Sequence, residues 1–329
     1  MIWLQFAFSA LVIVFASTQL ARNADAIALR TGLGRQFIGA LLLGSVTSLP
    51  EILTTIQAFR QGVPNLAVGN LIGSNMFNMS LLALADLSSR NRRVLRAVAS
   101  RHALIGSLTM MMITLVLFFM VADIDLQIGW VGADSLVLIL AYVGGVRLLA
   151  SQSRAASRVQ ETEESLEGVP ALPRALIAFF LAAFALVLIS PMLVRSSAAI
   201  AEATGLGTSF VGLTLVAFVT SLPEVVTTIS LVRAHAEDMA VGNLFGSNMF
   251  NMFALGLMDF FYLPGRLFGV IDPTFLLVGL LGLIMTGLGL IGNLARLERR
   301  LWFIEIDAAL ILLIYFGGLA LLYARGITP

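Results

Sequence analysis

The sequence contains no cysteine, no lysine and only two histidines, His102 and His235. Without cysteine there is no disulfide framework, no thiolate metal site and no cysteine nucleophile. Two histidines are too few for a histidine-rich metal centre. Charge is scarce as well: 12% of the 329 residues are charged, against roughly 25% in soluble domains. Hydrophobic residues make up 59% of the chain, where soluble domains have roughly 45–50%. So little polar surface cannot cover a water-soluble globule of this size. Disorder, which needs low hydrophobicity and high charge, is excluded with it. What remains is a multi-span membrane protein with the lipid bilayer as its principal partner. The first residues, MIWLQFAFSALVIVFAS, lack the positive n-region of a signal peptide, so they read as a genuine first span.

Apolar windows of about twenty residues place ten helices near 2–20, 35–60, 66–86, 103–122, 127–150, 173–197, 208–233, 239–262, 273–293 and 303–323. The one long polar interruption is SQSRAASRVQETEESLEGVPALPR, which reads as a solvated linker. A shift of 173 residues aligns the two sides of that linker without a gap over most of their length. TGLG at 31–34 falls on TGLG at 204–207, and VTSLPE at 46–51 on VTSLPE at 219–224. AVGNLIGSNMFNM at 67–79 falls on AVGNLFGSNMFNM at 240–252. The register also matches Arg22 with Arg195, Asp86 with Asp259 and Asp134 with Asp307. The chain therefore reads as a duplicated five-helix unit: 1–150, a cytoplasmic linker over 151–172, and 173–329.

An odd number of helices per unit sends the second copy through the bilayer upside down. The expected fold is an all-α membrane protein of ten transmembrane helices, built as two inverted-topology repeats of the kind found in secondary transporters. All 20 basic residues are arginines, and only Arg60, Arg195, Arg266 and Arg325 fall on one side of the predicted topology. By the positive-inside rule the arginine-rich side is cytoplasmic and both termini lie outside. Trp3, Trp130 and Trp302 fall near span ends, where interfacial aromatics belong.

Glu51 and Glu224 sit well inside spans two and seven. An ionisable side chain at that depth costs a few kcal/mol on insertion scales and marks a pathway or a site. Pro50 and Pro223 free backbone carbonyls in the preceding turn, and such carbonyls need a polar partner or a cavity inside a membrane. Thr47, Ser48 and Glu51 share one helical face, as do Thr220, Ser221 and Glu224. Carbonyl, hydroxyl and carboxylate oxygens together suit Ca²⁺ and other hard cations. Spans three and eight add polar stripes, Asn70-Ser74-Asn78 and Asn243-Ser247-Asn251. Ser74, Asn78, Ser247 and Asn251 are the deeper ligand candidates. For Asn70, Asn75, Asn243 and Asn248, interhelical hydrogen bonding competes with ion contact, and Gly69, Gly73, Gly242 and Gly246 read as close-packing faces.

VTSLPE followed by GNLIGSNMFNM, present twice in inverted halves, resembles the α-repeats of sodium/calcium exchangers in the calcium/cation antiporter superfamily, in their prokaryotic two-repeat form. The resemblance implies Ca²⁺ and Na⁺ as transported ions at mid-membrane sites, with no cofactor and no enzymatic activity. It implies bridging carboxylates at Glu51 and Glu224, backbone oxygens from Thr47 and Thr220, and hydroxyls from Ser48, Ser221, Ser74 and Ser247. Gly44 and Ala217 match positions whose carbonyls complete Na⁺ sites. Two departures stand out: Val46 and Val219 replace a usual glycine, and Asn251 replaces an aspartate of well-known members. The central site then holds two carboxylates rather than three, which still neutralise one Ca²⁺.

The function expected is Ca²⁺/Na⁺ antiport by alternating access in a prokaryotic plasma membrane. A monomer suffices for it, and spans one and six would slide against the ion-binding helices. The alternative is Ca²⁺/H⁺ or other cation antiport with a glutamate as proton carrier. A channel would need a continuous pore, which inverted repeats argue against. A hydrolase would need partners that the sequence lacks, having neither HExxH nor a nearby histidine. Asp134 lies toward the outer side and Asp307 toward the inner side, with Arg195 and Arg22 at matching depths in the opposite halves, which suggests two ties between halves, Asp134 with Arg195 and Asp307 with Arg22.

Overall fold

The computed structural model describes residues 2–60, 64–88, 99–159, 168–203, 218–263, 265–295, 300–301 and 304–325. Almost everything described is helical. The chain opens with α1 (Ile2–Thr31), followed by α2 (Arg35–Ile38), a π-helical turn (Gly39–Leu43), α3 (Gly44–Thr47) and α4 (Leu49–Arg60). Next come α5 (Pro64–Ser88), α6 (Ala99–Ala122), α7 (Ala133–Val159) and α8 (Leu172–Ala203). Then follow α9 (Leu222–Arg233), α10 (Glu237–Met258), α11 (Phe275–Ala295) and α12 (Ile306–Ala324).

Six helical stretches among the described residues are long and apolar enough to cross a membrane: Ile2–Thr31, Arg35–Ile56, His102–Ala122, Ala133–Ser153, Leu172–Ser196 and Ile306–Ala324. Each overlaps a predicted span, although span one runs on to Thr31 where 2–20 is predicted, and span five starts at Ala133 where 127 is predicted. The others fall short for visible reasons. Helices α5 and α10 carry the Asn and Ser stripes that lower their hydropathy, α11 is apolar over only Phe275–Ile291, and the first half of span seven lies outside the described residues. The protein is thus a multi-pass membrane protein. Its surface agrees: Leu181 and Leu188 on α8 and Leu11 and Phe15 on α1 are each more than 60% exposed, as suits side chains solvated by lipid tails.

The helical run 35–60 is interrupted as Pro50 requires. Helix α3 stops at Thr47, Ser48 leaves helical geometry at ψ 3°, and α4 resumes at Leu49. Ser221, ψ 9°, precedes α9 in the same way. Each break puts a glutamate in the first turn of a new helix, Glu51 in α4 and Glu224 in α9. There the unpaired N–H groups and the positive end of the helix dipole favour an anion.

Two buried clusters organise the packing. In one, α1 and α8 lie along each other through Ile13, Leu20, Phe179 and Leu186, and reach the α2 and α9 regions through Leu43 and Leu231. In the other, α5, α6, α10, α11 and α12 enclose Leu71, Met79, Phe245 and Met285. Helix α10 comes very close to the start of the first broken helix. A Cβ on Gly246 would overlap the Ala40 carbonyl, and one on Gly242 would sit 2.6 Å from the Gln36 carbonyl oxygen. The glycines predicted for packing in the second half do that work.

Two short antiparallel hairpins are additions to the all-α expectation. Strand β1 (Gln127–Ile128) pairs with β2 (Val131–Gly132), and β3 (Arg300–Leu301) pairs with β4 (Ile304–Glu305). The second hairpin lies at the first one's positions plus 173, so local structure repeats with the sequence.

The predicted ties between halves form differently. Asp134 pairs with Arg266, whose Nη1 donates to its Oδ2 at 3.0 Å, while Arg195 is exposed. Arg22 is exposed too, and among the described residues no ion pair joins it to Asp307, whose Oδ1 accepts from the Ala308 N–H. Matching depth was the wrong criterion. The β1–β2 hairpin sets the start of α7, with Asp134 in its first turn, against the loop after α10, which carries Arg266. Asp259, just past the end of α10, is fully buried and accepts from the N–H groups of Gly132 and Leu267, each at 2.7 Å. Trp3 and Trp130 are more than half exposed, and Trp302 lies outside the described residues.

Candidate cation site at the meeting of the broken helices

The broken helices bring the two VTSLPE segments together. Ser48 Oγ donates to Glu224 Oε1 at 3.3 Å, and Ser221 Oγ donates to Glu51 Oε1 at 2.8 Å. Each serine therefore serves the glutamate of the other half. Thr47 Oγ1 meets Asn243 Oδ1 at 3.3 Å, mirrored by Thr220 Oγ1 and Asn70 Oδ1 at 3.4 Å. Ser74 and Ser247 join from α5 and α10: Ser221 Oγ lies 3.3 Å from Ser74 Oγ, and Thr47 Oγ1 lies 3.4 Å from Ser247 Oγ. Ser247 Oγ also donates to the Gly44 carbonyl at 3.3 Å.

A second layer consists of four asparagines. Asn78 Nδ2 donates to Asn248 Oδ1 at 2.9 Å, and Asn251 Nδ2 donates to Asn75 Oδ1 at 3.2 Å. Asn75 and Asn248 donate in turn to each other's backbone carbonyl, at 3.4 and 3.3 Å. Asn75 and Asn248 thus make interhelical hydrogen bonds, and so do Asn70 and Asn243. Asn70 Nδ2 reaches the Glu51 carbonyl at 3.2 Å and Thr55 Oγ1 at 3.5 Å, and Asn243 Nδ2 reaches Thr227 Oγ1 at 3.4 Å. Thr55 and Thr227 were not singled out from the sequence, although the TT pair at 54–55 recurs at 227–228.

Of the twelve predicted site residues, the structure gathers eleven in this buried region: Gly44, Thr47, Ser48, Glu51, Ser74, Asn78, Thr220, Ser221, Glu224, Ser247 and Asn251. Ala217 lies outside the described residues. None of the polar side chains among them is more than 1% exposed. Yet four of their oxygens have no hydrogen-bond partner: Glu51 Oε2, Glu224 Oε2, Asn78 Oδ1 and Asn251 Oδ1. A buried acceptor left without a donor costs about 1–3 kcal/mol, and more when charged. Two come from each half, all of them acceptors, and oxygens of this kind are what hard cations take as ligands. Among the described residues no group of three or more His, Asp or Glu side chains could hold a metal, so a cation here would need neutral oxygens beside the two carboxylates.

The family model for sodium/calcium exchanger proteins matches residues 1–149 and 174–324. The chain belongs to that family. The sodium/calcium exchanger MaX1 of Methanosarcina acetivorans is 28% identical over 303 residues, covering 80% of this chain and 84% of the relative. The Ca(2+)/H(+) antiporter ChaA of Bacillus subtilis is 22% identical over 255 residues, covering 74% and 72%. The fold is that of the sodium-calcium exchanger NCX_Mj, matched in a structure soaked with Na⁺ and Sr²⁺ at a TM-score of 0.72. That match has 23% identity and covers 97% of this chain and 99% of the other.

Proposed function

We propose that this chain is a secondary antiporter exchanging Ca²⁺ for Na⁺ by alternating access, with Glu51 and Glu224 as the shared carboxylate ligands. The observation that carries this reading is the set of four unpartnered, fully buried oxygens contributed equally by the two halves. Ca²⁺ takes about 6–8 oxygen ligands. Glu51, Glu224, Asn78 and Asn251 would supply four, with hydroxyls and the Thr47 and Thr220 carbonyls available to complete the shell. The serines suit an exchange. A hydroxyl that donates to a carboxylate when the cation is absent turns its lone pair toward the cation when present. Na⁺ would draw on the same hydroxyls and on Gly44 and Ala217.

Family membership supports the remaining architecture: ten helices in two inverted five-helix repeats, 1–150 and 173–329, joined by a cytoplasmic linker, with both termini outside a prokaryotic plasma membrane. The separate cluster formed by α1 and α8 supports a sliding pair. Lying along each other, they meet the broken helices through small and aliphatic side chains. Their movement would open the site first to one side and then to the other. A relative named as a Ca²⁺/H⁺ antiporter keeps the proton as the second candidate counter-ion.

The test is uptake of radiolabelled Ca²⁺ into proteoliposomes under outward Na⁺, K⁺ or H⁺ gradients. Uptake should follow the Na⁺ gradient. Uptake driven by H⁺ alone would transfer the coupling to the proton, and uptake with no counter-ion requirement would make the protein a channel.

A further inference from the structure

Buried hydroxyls in the described helices fall into two sets. In one, the oxygen donates back to a carbonyl three or four residues earlier, which satisfies it within its own helix. Ser9, Thr109, Ser190 and Thr286 do this at distances between 2.6 and 2.8 Å. The other set stays off its own helix. It contains the site serines Ser48, Ser74, Ser221 and Ser247, whose hydroxyls meet groups of the opposite half. Ser17 on α1 and Ser135 in the first turn of α7 belong to it as well, on other helices. Two further members stand on the glutamate helices themselves, Thr55 and Thr228.

Thr55 on α4 and Thr228 on α9 are matched by the 173-residue shift, and each follows its glutamate by four residues. That spacing keeps each on its glutamate's face, one turn and about 6 Å farther along the helix. Both are 0% exposed. Their neighbours Thr54 and Thr227 fold back to the Pro50 and Pro223 carbonyls at 2.8 and 2.7 Å. Thr55 and Thr228 make no such bond. Thr55 Oγ1 meets the Ala67 carbonyl and Asn70 Nδ2, each at 3.5 Å, the outer limit of a hydrogen bond. Thr228 Oγ1 has no partner. Beyond them the same face is apolar to the helix end, with Ala58 and Phe59 on α4 and Leu231 and Val232 on α9. Each threonine is the last side-chain oxygen on its glutamate's face.

A buried hydroxyl without a good partner costs stability, and the duplication keeps one at the same place in both halves. A cation moving off the carboxylates loses oxygen ligands and needs others, since hard cations are coordinated by oxygen throughout. We infer that Thr55 and Thr228 are the next oxygens on the ion's route, each receiving the cation one turn beyond its glutamate, between the site and water. With the halves inverted, α4 and α9 run toward opposite membrane faces, so Thr55 serves one exit and Thr228 the other. This rests on the antiport reading and adds two residues to it. An interaction made only in passage lowers the barrier and leaves the resting site as it was. These hydroxyls therefore govern rate, not affinity.

The experiment uses the purified full chain with Thr55→Val or Thr228→Val, which remove the hydroxyl and nearly keep the shape. Initial rates of Ca²⁺ uptake are measured in proteoliposomes under the gradient that drives the unaltered chain, and Ca²⁺ affinity by titration calorimetry. Each variant should lose about tenfold in rate, the weight of one hydroxyl interaction, with affinity unchanged. Thr55→Ser and Thr228→Ser should restore the rate. Thr228→Val should also unfold at a higher temperature, having shed an unpaired buried hydroxyl. Unaltered rates in both valine variants would overturn the inference. So would affinity falling in step with rate, which would put the threonines in the resting site. A slowed rate that serine does not restore, or a lower unfolding temperature for Thr228→Val, would make the role structural and overturn it too. Absence of uptake by the unaltered chain under Na⁺, K⁺ and H⁺ gradients alike would instead overturn the antiport reading beneath it.

Discussion

Two buried groups of acids in this molecule look alike in composition and differ in how their oxygens are used. At the membrane end, Asp134 and Asp259 are both nearly or fully buried, and all four of their carboxylate oxygens accept a hydrogen bond. Asp134 takes the Ser135 N–H at 2.8 Å and Arg266 at 3.0 Å, while Asp259 takes the N–H groups of Gly132 and Leu267. Arg266 also holds the Ile124 carbonyl at 2.8 Å and the Asp123 carboxylate, tying the end of α6 to the loop after α10. At the centre, Glu51 and Glu224 each have one oxygen held by a serine of the opposite half and one oxygen with no donor. An acid kept for structure is saturated by rigid N–H donors. On the proposed function, an acid that serves a cation is held by one adaptable hydroxyl and keeps a lone pair for the ion.

The largest way to test this contrast is by removing one charge from each group. Glu51→Gln and Glu224→Gln should each abolish Ca²⁺ uptake while leaving a monodisperse protein on size-exclusion chromatography. Asp134→Asn and Asp259→Asn should keep transport per folded molecule and lower the thermal unfolding midpoint. If transport tracked both groups alike, the distinction would fail. Next in size is Arg266→Met, which strands Asp134 without its cation. Breaking a buried pair from one side costs about 3–5 kcal/mol, measured as a fall in thermal stability, with the Ca²⁺ dependence of transport unchanged.

Asn75→Ala and Asn248→Ala remove the acceptors that aim the amide oxygens of Asn251 and Asn78. Losing such an outer partner weakens metal affinity by about 10–100-fold, read as a higher Ca²⁺ concentration for half-maximal uptake. The smallest effect lies outside both groups. The Asp272 carboxyl is held below the usual carboxylate range by the Thr274 N–H, which donates to it at 2.8 Å just before α11. A lowered carboxylate pKa stabilises above the unfolded value and is lost as pH falls through the folded one. Asp272→Ala should therefore cost about 0.5 kcal/mol at neutral pH, in line with weak exposed caps, and nothing in acid, as a pH series of thermal midpoints would record.

The central group was legible in the sequence because it is written twice. Glu51, Ser48 and Thr47 recur 173 positions later, and the freed carbonyls expected of Pro50 and Pro223 lie at helix breaks that the continuous spans 35–60 and 208–233 do not include. Which asparagine meets which was not legible. Cross-half pairing depends on how closely α5 and α10 approach, and that is set by backbone contacts such as Gly246 against Ala40. The end group was misread for a related reason. Depth alone pairs Asp134 with Arg195, but a two-residue hairpin redirects the chain toward Arg266. The signal was present, since Arg93 stands 173 positions before Arg266 just as Asp134 stands before Asp307. Helix periodicity carries no information about such short turns.

The claim on which the account turns is that two halves build one site, each lending a carboxylate and an amide oxygen. Equilibrium Ca²⁺ binding to the purified protein, by titration calorimetry without Na⁺, tests it directly. The expected result is one Ca²⁺ per chain for the unaltered protein, with binding lost in Glu51→Gln and lost equally in Glu224→Gln. Two Ca²⁺ per chain, or half the binding surviving in either variant, would contradict it.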